Sequence, residues 1–157
     1  MAEGLLRQLS GHGIEVFSAG IDPGSVHPLA IRAMDEVGID LRGHASKHVG
    51  EVLDLPFDYV ITVCDAAAES CPVFPGGTQR VHWSFEDPSA VRGSEEERLA
   101  AFRRVRNGLQ QRVVAFLQLA PIQERLAGTR SADARDSLNS DSGESGELYS
   151  GVEKQLL

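Results

Sequence analysis

Cys64 and Cys71 are the only cysteines in this 157-residue chain, and seven positions separate them. The apolar run Val60-Ile-Thr-Val63 leads straight into Cys64, and Asp65-Ala-Ala-Ala-Glu-Ser70 carries the chain on to Cys71. The alanine run predicts a short helix between the two thiols. At about 1.5 Å of rise per residue, that helix holds the two Cα atoms roughly 10 Å apart. A disulfide spans only about 4.4–6.8 Å. The pair can therefore join only if the intervening turns loosen, which is how a reversible dithiol behaves and a permanent cross-link does not. The alternative is that each thiol is a small buried hydrophobe, as free cysteines often are. A zinc site fits poorly. There is no close C-x-x-C pair, and His12, His27, His44, His48 and His82 show no ligand-like spacing around the cysteines. A strand-to-helix junction favours reactivity at Cys64, because the partial positive charge at a helix N-terminus favours thiolate.

The elements that must position these thiols follow from apolar periodicity. Helices are predicted over Ala2–Leu9 and His27–Val37, the second stopped by Gly38. Strands are predicted over Glu15–Ser18, Tyr59–Cys64 and Arg80–Trp83. A long amphipathic helix follows over Glu95–Leu119, with Leu99, Phe102, Val105, Val113, Phe116 and Leu117 as its buried positions. Strands alternating with helices imply an α/β fold, a parallel sheet covered on both faces. After Pro121 the pattern decays, and Ser131–Glu147 is dense in Ser, Asp, Glu and Gly. Such a stretch cannot repay the entropy of ordering. The chain is thus read as one domain over 1–120 and a flexible, disordered acidic tail over 121–157.

Composition sets the outer bounds. A content of 41% hydrophobic and 24% charged residues suits one globular domain with an ordinary core. The net charge of −8, without a clustered excess of Lys and Arg, argues against nucleic acid as a partner. There is no leader-like segment at the N-terminus and no apolar stretch long enough to span a membrane, so a cytoplasmic protein without a membrane partner is expected. In that compartment thiols are kept reduced, which again suits a transient disulfide.

Five segments carry a resemblance: Met1-Ala-Glu-Gly4, Phe17-Ser-Ala-Gly-Ile21, His27-Pro-Leu-Ala-Ile31, Val63-Cys-Asp65 with Cys71-Pro72, and His82-Trp-Ser-Phe-Glu-Asp-Pro88. In order and spacing, from Met1 to about Leu119, they resemble thioredoxin-coupled arsenate reductases of the low-molecular-weight protein tyrosine phosphatase family. The resemblance implies a three-layer fold, a parallel sheet flanked by helices. It also implies an arsenic-detoxifying oxidoreductase that turns arsenate into arsenite through a cysteine cascade. In that cascade a first thiolate in a phosphate-binding loop takes up arsenate, Cys64 attacks the adduct, and Cys71 then forms the Cys64–Cys71 disulfide. Thioredoxin, an external reductant and not a bound cofactor, restores the thiols. No metal and no bound cofactor are expected, and a monomer is the family-level expectation. Asp87 matches the general acid that protonates the departing oxygen; by itself Asp-Pro reads as a turn initiator. Asp65 reads as an N-cap. Lys47 falls where related proteins hold potassium, with Glu3 and Ser18 at neighbouring positions, so its ammonium is expected to stand in for the cation.

The phosphate-binding loop has the pattern C-x5-R-[ST], and neither cysteine here is followed by an arginine at that distance. By resemblance, that loop and the first strand, which lies inside the sheet, precede Met1-Ala-Glu-Gly4. A misassigned start or a fragment is therefore expected, together with an inactive chain, two strands lacking a partner and marginal stability. Two other functions remain beside the reductase: a phosphotyrosine phosphatase on the same scaffold, which needs neither Cys64 nor Cys71, and a non-catalytic remnant that binds through the acidic tail.

Overall fold

Each strand of the sheet is a run of only four residues, joined to its neighbours by parallel pairing. In the computed structural model, residues 1–11, 13–74, 77–119, 121–124, 126 and 153–156 are described. β1 (Ile14–Phe17), β2 (Tyr59–Thr62), β3 (Gln79–His82) and β4 (Glu153–Leu156) lie in the order β1-β4-β2-β3, all parallel. The helices are α1 (Ala2–Ser10), α2 (Pro28–Asp35), α3 (Asp65–Ser70) and α4 (Glu95–Leu117). Short 3-10 turns occupy Val49–Glu51 and Pro88–Ala90. The α/β class and the parallel sheet are as expected.

Alternation along the strands sends side chains to opposite faces. On one face Ile14, Val16, Tyr59 and Ile61 pack with Leu5 and Leu6 of α1 and Leu109, Val113 and Phe116 of α4. Phe116 meets Tyr59 edge-on at 5.2 Å between ring centroids and Trp83 at 6.1 Å. On the other face Val60 joins Val52, Phe57 and Phe74.

α4 starts at a reciprocal cap. The Ser94 hydroxyl accepts from the Glu97 N–H, and the Glu97 carboxylate accepts from the Ser94 N–H. Of the positions expected to be buried, Leu99, Phe102, Val113, Phe116 and Leu117 are so, and Val105 is half-buried. Arg106 is also buried on this helix, at 8% exposure. Its guanidinium donates to the Ala33 carbonyl at 2.6 Å and to Glu36 at 3.0 Å, tying the end of α2 to α4. Arg103 adds bonds to the same carboxylate at 2.6–3.0 Å. Led by the Arg103 hydrogen bond, these partners hold the Glu36 carboxyl down to about 2.

The C-terminal stretch contributes elements that the sequence pattern did not place. Ile122 and Leu126 are buried in the main core, so the packed body runs past Pro121. Further on, β4 lies between β1 and β2, with Ile14–Phe17 opposite Glu153–Leu156 and Tyr59–Val60 opposite Gln155–Leu156. The two strands expected to lack a partner therefore have one. Apolar patterning could not show this, because Glu153-Lys-Gln-Leu156 is mostly polar and pairs through its backbone groups. The Ser131–Glu147 part of the expected tail lies outside the described residues.

Candidate functional site

β2 and β3 run parallel with Thr62 opposite His82, so the chain leaves both strands at the same edge of the sheet. This carboxyl edge is where open α/β sheets place their chemistry. Two residues beyond Thr62, Cys64 is the N-cap of α3, with extended φ −143° and ψ 158°. Its thiol makes no capping hydrogen bond. Cys71 is the C-cap of the same helix. Both thiols are free and half-buried, and Cys71 packs against the cluster of Val52, Phe57, Val60 and Phe74. The short helix predicted between the cysteines is present. Its Ala68 N–H donates to the Cys64 carbonyl at 3.1 Å.

Asp65 is not the N-cap expected of it. It occupies the first helical position, and its carboxylate reaches across to β3 and the residues just beyond. Oδ1 accepts from the Ser84 hydroxyl at 2.9 Å and lies 3.0 Å from His82 Nε2. The other ring nitrogen of His82 lies 2.8 Å from the Thr62 hydroxyl. The Ser84 hydrogen bond, then that of His82, lowers the Asp65 carboxyl from its ordinary value. Sequence reading missed this group, because Asp65, His82 and Ser84 are 17 and 19 positions apart and meet only through the parallel register of β2 and β3.

Asp87 lies on the segment that follows β3. Its carboxylate accepts from the Ser89 N–H at 2.9 Å and from the Ser89 hydroxyl at 2.8 Å, capping the turn Pro88–Ala90. The turn-initiator role is thus real. The carboxylate is exposed and lines a cleft of about 240 Å³ with Ser84, Phe85 and Arg104. Phe85 seats this segment on α4 at Gly108, where an added Cβ would stand 2.7 Å from the ring.

A second cleft, of about 460 Å³, is lined by Glu3, Arg7, Asp40, His44 and Lys47. Glu3 is buried; its carboxylate pairs with Arg7 at 2.7 Å, faces His44 Nδ1 at 3.4 Å and accepts from the Ser18 hydroxyl. Lys47 shares the cleft with Glu3, but among the described residues it makes no ion pair with it. Among the described residues no cluster of three or more His, Cys, Asp or Glu could hold a metal ion, and no helix is long and apolar enough to cross a membrane.

Residues 1–128 match the model of the low molecular weight phosphotyrosine protein phosphatase family. The arsenate reductase of Halalkalibacterium halodurans is 41% identical over 118 residues, covering 75% of this chain and 85% of that protein. The arsenate reductase of Bacillus subtilis is 40% identical over 118 residues, with the same coverage. Among solved structures, an arsenate reductase in the oxidized state superimposes with a TM-score of 0.62 at 33% identity, covering 71% of this chain and 81% of that one. One in the phosphate binding state gives 0.59 at 32% identity, covering 74% and 84%.

Proposed function

Because the chain belongs to the low molecular weight phosphotyrosine protein phosphatase family, and because its two thiols bracket one short helix at the carboxyl edge of the sheet, we propose that it serves arsenate reduction. Cys64 and Cys71 are the resolving dithiol in this reading, and Asp87 is the general acid. The observation that carries it is the bracketing itself. Both cysteines are free and half-buried, and they are joined by six helical residues that can be rearranged without cutting the sheet. The relatives named above support the choice of arsenate.

The chemistry is a relay of displacements at sulfur. A thiolate attacks arsenate, an As–O bond breaks, and the departing oxygen is protonated by Asp87, since unprotonated oxide leaves poorly. Cys64 thiolate then attacks the sulfur of that adduct. A disulfide forms, the S–As bond breaks, and its electron pair stays on arsenic, which leaves as arsenite. Cys71 thiolate attacks the Cys64 sulfur and expels the first thiolate, leaving the Cys64–Cys71 disulfide. A dithiol reductant of the thioredoxin type returns two electrons and restores both thiols. The first thiol of the relay belongs to a C-x5-R loop, and no such pattern occurs in these 157 residues. Alone they are therefore expected to form no arsenite. The expected division is one domain over 1–120, with Ile122 and Leu126 extending its core. A cytoplasmic monomer completes the reading.

The test is arsenite formation by the protein as its native host produces it, with thioredoxin, thioredoxin reductase and NADPH. Arsenite should form and should be lost in both Cys64→Ser and Cys71→Ser. Arsenite formation that survives Cys64→Ser contradicts the reading. Hydrolysis of a phosphotyrosine analogue with no arsenite formed would assign the scaffold to phosphatase chemistry, which needs neither thiol.

A further inference from the structure

If Cys64 and Cys71 are a redox pair, as proposed above, the helix between them is an obstacle to their joining. Seven positions of helical rise separate the Cα atoms by roughly 10 Å, and a disulfide needs about 4.4–6.8 Å. α3 must give up turns before the sulfurs meet. Its own backbone offers little resistance, since six residues are well below the length at which a helix is stable alone. What holds it must come from outside the helix.

At the Cys71 end the cap residue has extended backbone, φ −67° and ψ 122°, and the side chain rests against an apolar cluster, with no side-chain hydrogen bond among the described residues. At the Cys64 end the first helical residue is tied to the neighbouring strand. Asp65 Oδ1 receives the Ser84 hydroxyl and faces His82 Nε2, and His82 is steadied in turn by Thr62 at the end of β2. Among the described side chains of α3, only that of Asp65 makes a side-chain hydrogen bond outside the helix. Asp65 is bonded directly to Cys64, so Cys64 cannot swing toward Cys71 without turning the backbone that carries the tethered carboxylate.

We propose that Asp65, His82 and Ser84 form a clamp that holds α3 in the dithiol form and sets how readily Cys64 and Cys71 close into a disulfide. The three are positioning residues, acting through the helix and not on the substrate. The clamp keeps the thiols apart until one is drawn into exchange, and it favours return to the reduced state once a reductant opens the bond.

The experiment equilibrates the chain in glutathione redox buffers. One cysteine thiolate attacks glutathione disulfide and releases one glutathione thiolate. The second cysteine attacks the mixed disulfide and releases another. Two electrons pass from the protein to glutathione, and the Cys64–Cys71 bond forms. The fraction oxidised is read by mass after alkylation. Ser84→Ala and His82→Ala leave the helical sequence untouched and so do not change its intrinsic propensity. Each should raise the equilibrium constant for disulfide formation about two- to tenfold, the range expected for one hydrogen bond lost. The double variant should raise it further, and Asp65→Asn, which keeps an acceptor for Ser84, should fall between wild type and Asp65→Ala. A disulfide that forms in every variant with a constant within twofold of wild type overturns the clamp and leaves the functional reading standing. A wild-type chain that never forms the Cys64–Cys71 bond overturns the functional reading, and the clamp with it. Circular dichroism of the reduced variants checks that these exposed substitutions leave the fold in place.

Discussion

Gln155→Pro is a direct probe of the β4 strand, since β4 sits inside the sheet and pairs on both sides. Gln155 is opposite Val16 of β1 and Tyr59 of β2, so it is held between two neighbours. Proline removes one backbone donor and leaves an acceptor on a neighbouring strand without its partner, in a position where proline is not tolerated. The lost hydrogen bond accounts for about 1 kcal/mol and the stranded acceptor for about 1–3 kcal/mol. A loss of roughly 2–4 kcal/mol is expected, a large share of the stability of a domain this size. At about 2–4 °C per kcal/mol for a chain of this length, the melting temperature should fall by roughly 5–15 °C. Gln155→Ala keeps the N–H and serves as the control, with a change within about 1 kcal/mol. Urea unfolding followed by circular dichroism gives the free-energy changes, and a thermal melt gives the shift in melting temperature. If Gln155→Pro unfolds within about 0.5 kcal/mol of wild type, β4 is not part of the stable sheet, and the argument that it satisfies the edges of β1 and β2 fails.

Glu36 gives a pH prediction. Its carboxyl sits at about 2 in the folded protein against an ordinary 4.5, so its contribution is complete above the ordinary value and drains away as acid approaches the lower one. Glu36→Gln should be less stable than wild type at neutral pH, and the gap should close between about pH 5 and pH 2; a gap that stays constant across that range refutes the coupling to Arg103 and Arg106. Gly108→Ala should also destabilise. The gain in helix propensity of about 1 kcal/mol is outweighed by the forced displacement of Phe85, at a cost of about 1–3 kcal/mol. A melt showing a more stable Gly108→Ala variant would mean that Phe85 does not anchor the Asp87 segment to α4.

The alternation of strands and helices was legible because each carries its own periodicity, and α4 shows it best, with Leu99, Phe102, Val113, Phe116 and Leu117 buried as their spacing predicts. The short helix between Cys64 and Cys71 was legible for a local reason, since both cysteines and the alanine run between them lie within one stretch of eight residues. Contacts made across the fold were not. Arg106 lies on the apolar face of α4, where helical periodicity offers no reason to expect a charge. Its stabilising partners, Ala33 and Glu36, are 73 and 70 positions away. Asp65, His82 and Ser84 meet only because β2 and β3 pair in one register, which no spacing along the chain announces. β4 was hidden for a different reason: Glu153-Lys-Gln-Leu156 lacks the apolar run or alternation by which the other strands were read.

The most direct test of the central claim is a thiol titration and peptide map of the chain after mild oxidation, followed by exposure to thioredoxin, thioredoxin reductase and NADPH. The account predicts a single intramolecular Cys64–Cys71 disulfide that thioredoxin reduces with one NADPH consumed per chain. Intermolecular cross-links alone, or a Cys64–Cys71 bond that thioredoxin leaves intact, would contradict it.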